Sequence, residues 1–189
     1  MSTTIKLGEV AEIQSGYSFR GAVKDEGAGV AVIQARDIDG LSIASGHLPR
    51  VKQDFPPSRY LSHGDVLLTS RGTFRAGAVD FSDKAVASSS LFVLHTKATA
   101  YMPEFIALYL NSAYAQNYLK QAAKGATIQS VTITDLADLT IPFVPLAQQK
   151  LLVELQQNVE AQRTLLRSKL DAVNDIYSKA INQSLKGVA

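Results

Sequence analysis

Cysteine is absent from the 189 residues, so thiol catalysis, thiolate-held zinc and disulfide staples are all excluded. A reducing compartment suits such a chain. No apolar run approaches the roughly 18 residues that a membrane-spanning helix requires. The opening residues, MSTTIKLGEVAEI, have neither the basic start nor the apolar stretch of a secretory signal. The expectation is a soluble cytoplasmic protein with no membrane association. An excess of one charge is missing too. Residues 1–145 carry 13 Lys or Arg against 13 Asp or Glu, and residues 146–189 carry 6 against 4, so the formal net charge of +2 lies in the tail. Bulk charge does not announce a nucleic-acid binder. Any such affinity has to come from local clusters of basic groups or from a more positive partner.

The marks of catalysis are also lacking. There is no GxGxxG, no GxxxxGK[ST], no HExxH and no Asn/Asp-Pro-Pro-aromatic element of the kind that holds an extruded base. Neither Glu-x-Lys nor Asp-x-Lys occurs, which removes a common nuclease arrangement. His47, His63 and His95 sit far apart in unrelated contexts and read as ordinary loop or strand histidines rather than metal ligands. Ser88-Ser89-Ser90 has no GxSxG setting. No catalytic residue, metal site or cofactor is expected in this chain.

Residues 1–145 alternate short apolar runs with Gly, Ser, Pro and Asp punctuation, the texture of a compact mixed α+β domain. Candidate strands are 30–35, 65–70, 76–81 and 91–95. Asp39-Gly40, Pro56-Pro57 and His63-Gly64-Asp65 supply turns. A short helix is expected over 7–13. A clearer one follows Pro103, with Phe105, Leu108, Tyr109, Ser112 and Leu119 on one face, and ends at Gly125 with Lys120 and Lys124 near its negative pole. Neither Gly nor Pro occurs from Leu146 until Gly187, which makes residues 146–189 one long helix. Pro142 and Pro145 cannot lie inside it and mark the domain boundary. Spacing by threes and fours picks out Leu152, Leu155, Val159, Leu166, Val173, Ile176 and Ala180 as an imperfect coiled-coil seam, interrupted by Gln162 and Lys169. The seam either packs along its own domain or pairs with another long helix.

The order of these parts resembles the specificity subunits of type I restriction-modification systems. The resemblance is carried by Leu7–Ile13 followed by Ser15-Gly16, by Val32–Ile38, by Gly64–Gly72, by Gly125-Ala126-Thr127, and by Ile141–Gln149, which resembles the family's IPxPPxxEQ junction into a conserved helix. Val144 stands for the first of the paired prolines, and Gln148 for the usual Glu. Full-length members carry two target-recognition domains and two such helices, so this chain resembles a half subunit. The resemblance implies a non-catalytic chain that reads one half of a split double-stranded DNA site and pairs through its helix as a homodimer. Modification subunits that bind S-adenosylmethionine would methylate adenine, and a restriction or motor subunit is admitted as a further partner. The other reading is a protein-interaction adaptor presented on a coiled coil, which the neutral charge of residues 1–145 favours.

Readout of DNA needs forked donors near base edges, supported by phosphate contacts. Arg71, Thr73 and Arg75 flank a permissive Gly72, although Arg71 could instead pair with a carboxylate and hold the turn. Arg20 with Lys24, and Gln34 with Arg36, are further candidates. Lys124, Thr127 and Gln129 offer a positive helix end and a polar loop. Tyr17, Phe19, Tyr60 and Phe74 read as packing rather than as base-stacking platforms.

Overall fold

The computed structural model describes residues 4–97, 99–124 and 129–186. Its contacts divide the chain into two units, Met1–Val153 and Glu154–Ala189. The first unit is layered around a five-stranded sheet in which β2 (Ala11–Ser15), β9 (Leu91–Thr96), β6 (Val66–Thr69), β7 (Ala76–Val79) and β4 (Ser42–Ile43) lie in that order. Its ladders are antiparallel except β4–β7.

Alternation along the strands decides what each face covers. Val66, Leu68, Phe92 and Leu94 meet a helical layer made of α2 (Pro103–Leu110), α3 (Ala113–Ala122) and α4 (Ile133–Asp138), whose Phe105, Ile106, Leu110, Leu119 and Leu136 fill one core. Leu67, Leu91 and Val93 face the opposite way, onto a small sheet of β5 (Arg50–Val51), β3 (Val30–Ile33) and β8 (Ala85–Ala87). Both faces of the central strands are therefore covered, which is why they read as unbroken apolar runs. The outer face of the small sheet, Val30, Val32 and Val86, is closed by Tyr17, Phe19, Phe55 and Tyr60. Their rings meet edge to face, Tyr17 to Phe55 at 4.9 Å and Tyr17 to Phe19 at 5.1 Å. Phe74 is buried as well.

Two helical expectations need correction. The helix expected over 7–13 is only α1 (Leu7–Val10), because Ala11–Ser15 pair with Thr96–Phe92 of β9. Long-range pairing outweighs local propensity there. The helix expected from Pro103 to Gly125 is two helices. Asn111 turns its side chain onto the strand, accepting from Ala76 N–H at 2.9 Å and donating to Ala76 C=O at 2.8 Å. Ser112 then takes extended backbone angles and caps α3 by accepting from Ala115 N–H. Consequently α3 ends at Ala122, and Lys124 pairs with Ser130 in an isolated bridge instead of closing a helix. Gly125 lies outside the described residues.

A two-stranded ribbon of β1 (Thr4–Lys6) and β10 (Thr140–Pro142) leads into α5 (Leu146–Lys186), 41 residues and about 60 Å long at 1.5 Å per residue. Its first turns belong to the first unit and are held by Gln149, which is fully buried. The amide oxygen accepts from Met102 N–H at 2.8 Å, and the amide nitrogen donates to Ala100 C=O at 2.8 Å and Val144 C=O at 2.7 Å. In the second unit Leu155, Leu166, Val173 and Ile176 are 61–67% exposed. Among the described residues no helix is long and apolar enough to cross a membrane.

One half-buried histidine–carboxylate pair responds to pH. Asp65 accepts from Ser62 N–H and from His95 Nδ1–H at 2.9 Å, and this hydrogen bond raises the His95 pKa above its ordinary 6.5. The folded state thus binds the proton more tightly than the unfolded chain. Its contribution to stability is complete below about pH 6.5 and is lost as pH rises through the raised folded value. The Gln14 amide nitrogen stands 2.6 Å from Nε2 and donates to Ser58 C=O at 3.0 Å, so protonation of the ring requires the amide to turn its oxygen inward and give up the Ser58 bond. Urea midpoints are expected to fall from pH 6 to pH 8 in the native chain, and His95→Gln is expected to flatten that slope.

Candidate functional site

The hairpin joining β6 to β7 is built by hydroxyl chemistry. Thr69 Oγ1 donates to Thr73 C=O at 2.7 Å and accepts from Arg75 N–H at 2.9 Å, closing the loop across its own mouth. Gly72 at the tip has φ of +72°, a conformation that costs a side-chain-bearing residue strain. Its N–H donates to Gln129 C=O, while Arg71 and Ser130 form an antiparallel bridge and Val131 N–H donates to Ser70 C=O. A turn from the central sheet and the segment entering α4 are thereby sewn together.

Between them lies a groove of about 680 Å³, lined by Ser15, Ser70, Arg71, Ser89, Phe92, and Ser130 through Thr134. Six of those ten residues carry hydroxyls, and Arg71 is the one charged member. Ser15 reaches the groove because Gly16 lets β2 run against the β8–β9 turn, where a Cβ at that position would stand 2.1 Å from Ser88 C=O. Thr132 is fixed by a capping box: it accepts from Asp135 N–H at 3.1 Å, and Asp135 accepts from its amide at 2.9 Å and its hydroxyl at 2.7 Å. The same hydroxyl and amide hold the Asp135 carboxyl below the usual carboxylate range. The groove thus gathers six hydroxyl-bearing residues around one guanidinium, side chains of the kinds that commonly contact phosphodiesters.

The sequence candidates fall into three places. Arg71, Lys124 and Gln129 are drawn together at the groove by the Arg71–Ser130 and Lys124–Ser130 bridges. Arg71 is exposed, and among the described residues no salt bridge or side-chain hydrogen bond holds its guanidinium. Among the described residues no carboxylate pins it. Thr73 is exposed at the hairpin tip, and Thr127 lies outside the described residues. Arg75 points elsewhere: its Nη2 donates to Ala35 C=O at 3.0 Å, which sets it beside Gln34 and Arg36 at the 3₁₀ turn Ala35–Asp37. Arg36 is exposed and lies 3.8 Å from Asp37. Gln34 does not offer its amide to solvent, since its Nε2 is buried without a protein partner. Arg20 and Lys24 line a separate hollow.

Sequence reasoning missed the hydroxyls of Ser15, Ser70, Ser89, Thr132 and Thr134. They come from four distant segments, and no spacing in one dimension connects them. His47 and His63 stay exposed in loops, and among the described residues no three His, Asp or Glu side chains converge as a metal site would require.

Comparison with known proteins places these observations. Residues 2–175 match the family model described as type I restriction modification DNA specificity domain. No curated protein sequence matches the chain. Among solved structures, a chain from a study of complex assembly and conformational transition of the type I R-M system superposes with a TM-score of 0.64 at 23% identity, covering 87% of this chain and 39% of that one. The HsdS subunit from Thermoanaerobacter tengcongensis gives 0.61 at 23% identity, covering 87% and 38%. The type I restriction-modification S subunit from M. genitalium gives 0.61 at 15% identity, covering 89% and 41%. The chain thus spans about two fifths of the length of each of these three relatives.

Proposed function

We propose, from the premise that this chain belongs to the type I restriction-modification DNA specificity family, that it reads one half of an interrupted double-stranded DNA site and directs modification subunits to it. The observation that carries this reading is the hydroxyl-rich groove lined by Arg71, which has no salt bridge among the described residues. Serine and threonine hydroxyls position the phosphate backbone, while an unpinned guanidinium on a hairpin is free to reach a base edge. The near-neutral first unit accords with affinity concentrated at such local contacts.

One recognition unit and one long helix correspond to about two fifths of the related chains, so two copies would supply a full set. The stripe of Leu152, Leu155, Val159, Leu166, Val173, Ile176 and Ala180 on α5, exposed except at the half-buried Val159, supports pairing with a second copy, the helices then fixing the distance between two half-sites. S-adenosylmethionine and adenine methylation belong to the partner modification subunits on this reading, with a restriction or motor subunit as an optional addition.

Co-expression with the modification subunit, followed by mapping of methylated adenine across the host genome, tests the reading. The expected result is one interrupted, two-fold symmetric motif. Arg71→Ala is expected to relax one base pair in each half of it and to weaken binding by about 1–3 kcal/mol per half-site. Methylation that is absent, or that follows the same motif without this chain, would leave the adaptor reading in its place.

A further inference from the structure

A second basic hollow stands apart from the groove. It measures about 420 Å³ and presents Arg20, Lys24 and Lys52 above a floor of Phe19 and Val51. The loop that carries Arg20 and Lys24 is fastened to β5 by backbone bonds. Glu26 N–H donates to Arg50 C=O, Arg50 N–H donates to Asp25 at 2.9 Å, and Lys52 N–H donates to Glu26 at 2.5 Å. The two carboxylates of the loop are thereby committed to backbone amides, and Arg50 itself is committed to Asp83 at 2.8 Å. Arg20, Lys24 and Lys52 are exposed, and none of them has a salt bridge among the described residues. Three cations without salt bridges among the described residues, on a loop and strand tied together by these bonds, outnumber Glu26, the one carboxylate in the lining, and favour an anion.

We propose that this hollow binds a backbone phosphate of the same duplex, on the flank of the stretch engaged at the hydroxyl groove. The proposal rests on the DNA-reading function and adds to it a second contact that is blind to sequence. Its placement follows from the chain: Ser15 lines the groove and Phe19 lines the hollow. Four residues of extended backbone span at most about 14 Å. With one phosphate per roughly 3.4 Å of axis on each strand, the residues that link the two linings span at most about four base steps.

The test uses the full chain with its modification subunit, and duplexes recovered from a random-sequence pool and then rebuilt with increasing flank length. Affinity of the native complex is expected to rise as the flank lengthens by about four base pairs and then to level off. Arg20→Ala, Lys24→Ala and Lys52→Ala together are expected to remove that rise and to make the log–log salt dependence shallower by about 1–2, with preference among sequences unchanged. Lys24→Gln alone is expected to give a smaller change in the same direction, which keeps the test decisive if the triple variant does not fold. Retention of the native flank and salt dependence by both variants, while Arg71→Ala weakens binding, would overturn the hollow's role and leave the DNA reading intact. No salt-dependent duplex binding by the native complex would overturn both. Amide shifts at residues 20–26 and 52 that saturate with inorganic phosphate but do not respond to duplex would show a site for a free anion and reject the proposal.

Discussion

Gln149→Ala is expected to lower the melting temperature by about 6–12 °C, the largest stability loss anticipated for a single polar substitution in this chain. The side chain is fully buried and satisfies Met102 N–H, Ala100 C=O and Val144 C=O at once. Truncation strips three backbone groups of their partner, and stranded partners cost about 1–3 kcal/mol each before water or relaxation recovers a share. A net loss of about 3 kcal/mol corresponds to that interval for a protein of this size. Gln149→Glu is expected to be no better, because a carboxylate cannot donate to the two carbonyls and carries charge into a buried position. Gln148→Ala, one residue away and exposed, is expected to change stability by less than about 0.5 kcal/mol. Calorimetry on the three variants separates a buried clasp from a generic helix-start effect. The same clasp fastens the first turns of α5 to the preceding loops, so its loss is also expected to weaken assembly on a split DNA site.

The second large effect concerns α5. Native chain at micromolar concentration is expected to sediment as a dimer, and Leu166→Asp combined with Ile176→Asp is expected to sediment as a monomer with an unchanged near-ultraviolet spectrum. Both side chains are more than 60% exposed, so the substitutions cost the isolated chain little. In a dimer each would be felt twice. Burying a leucine or isoleucine is worth roughly 1.5–3 kcal/mol, and a carboxylate in its place adds a desolvation penalty. The dissociation constant is therefore expected to rise by at least about a thousandfold. A native chain that remains monomeric across the accessible concentration range would contradict pairing through this helix.

Legibility in the sequence followed the source of each element's stability. Val30–Ile33, Val66–Thr69, Ala76–Val79 and Leu91–Thr96 were visible because they lie between two covered layers and are built on continuous apolar runs, broken only at the ends by Thr69, His95 and Thr96. The long helix was visible because nothing from Leu146 to Lys186 can break one. Strands of two or three residues, such as Ser42–Ile43, Arg50–Val51 and Thr140–Pro142, carry no periodicity of their own and exist because a partner strand is at hand. The break at Asn111 and Ser112 was hidden for the same reason. Asn111 stops the helix by bonding to a strand 35 residues away.

At the site, Arg71 and Gly72 could be named from composition. The hydroxyls that make the groove could not, since serines at 15, 70, 89 and 130 become neighbours only once four segments have folded together. Gln34 shows the converse. Its residue type suited adenine recognition, but the fold buries its donor. Gln149 was already noticed as the last residue of a family-like junction, while its work as a three-way clasp depends on backbone groups nearly fifty residues away.

The central claim is that this chain chooses a DNA sequence. Selection from a pool of random duplexes by the full chain assembled with its modification subunit, at two salt concentrations, tests it most directly. The account predicts enrichment of one interrupted symmetric sequence, with affinity falling steeply as salt rises and with Arg71→Ala broadening the enriched set. Recovery of an unenriched pool, or the same sequence recovered by the modification subunit without this chain, would contradict it.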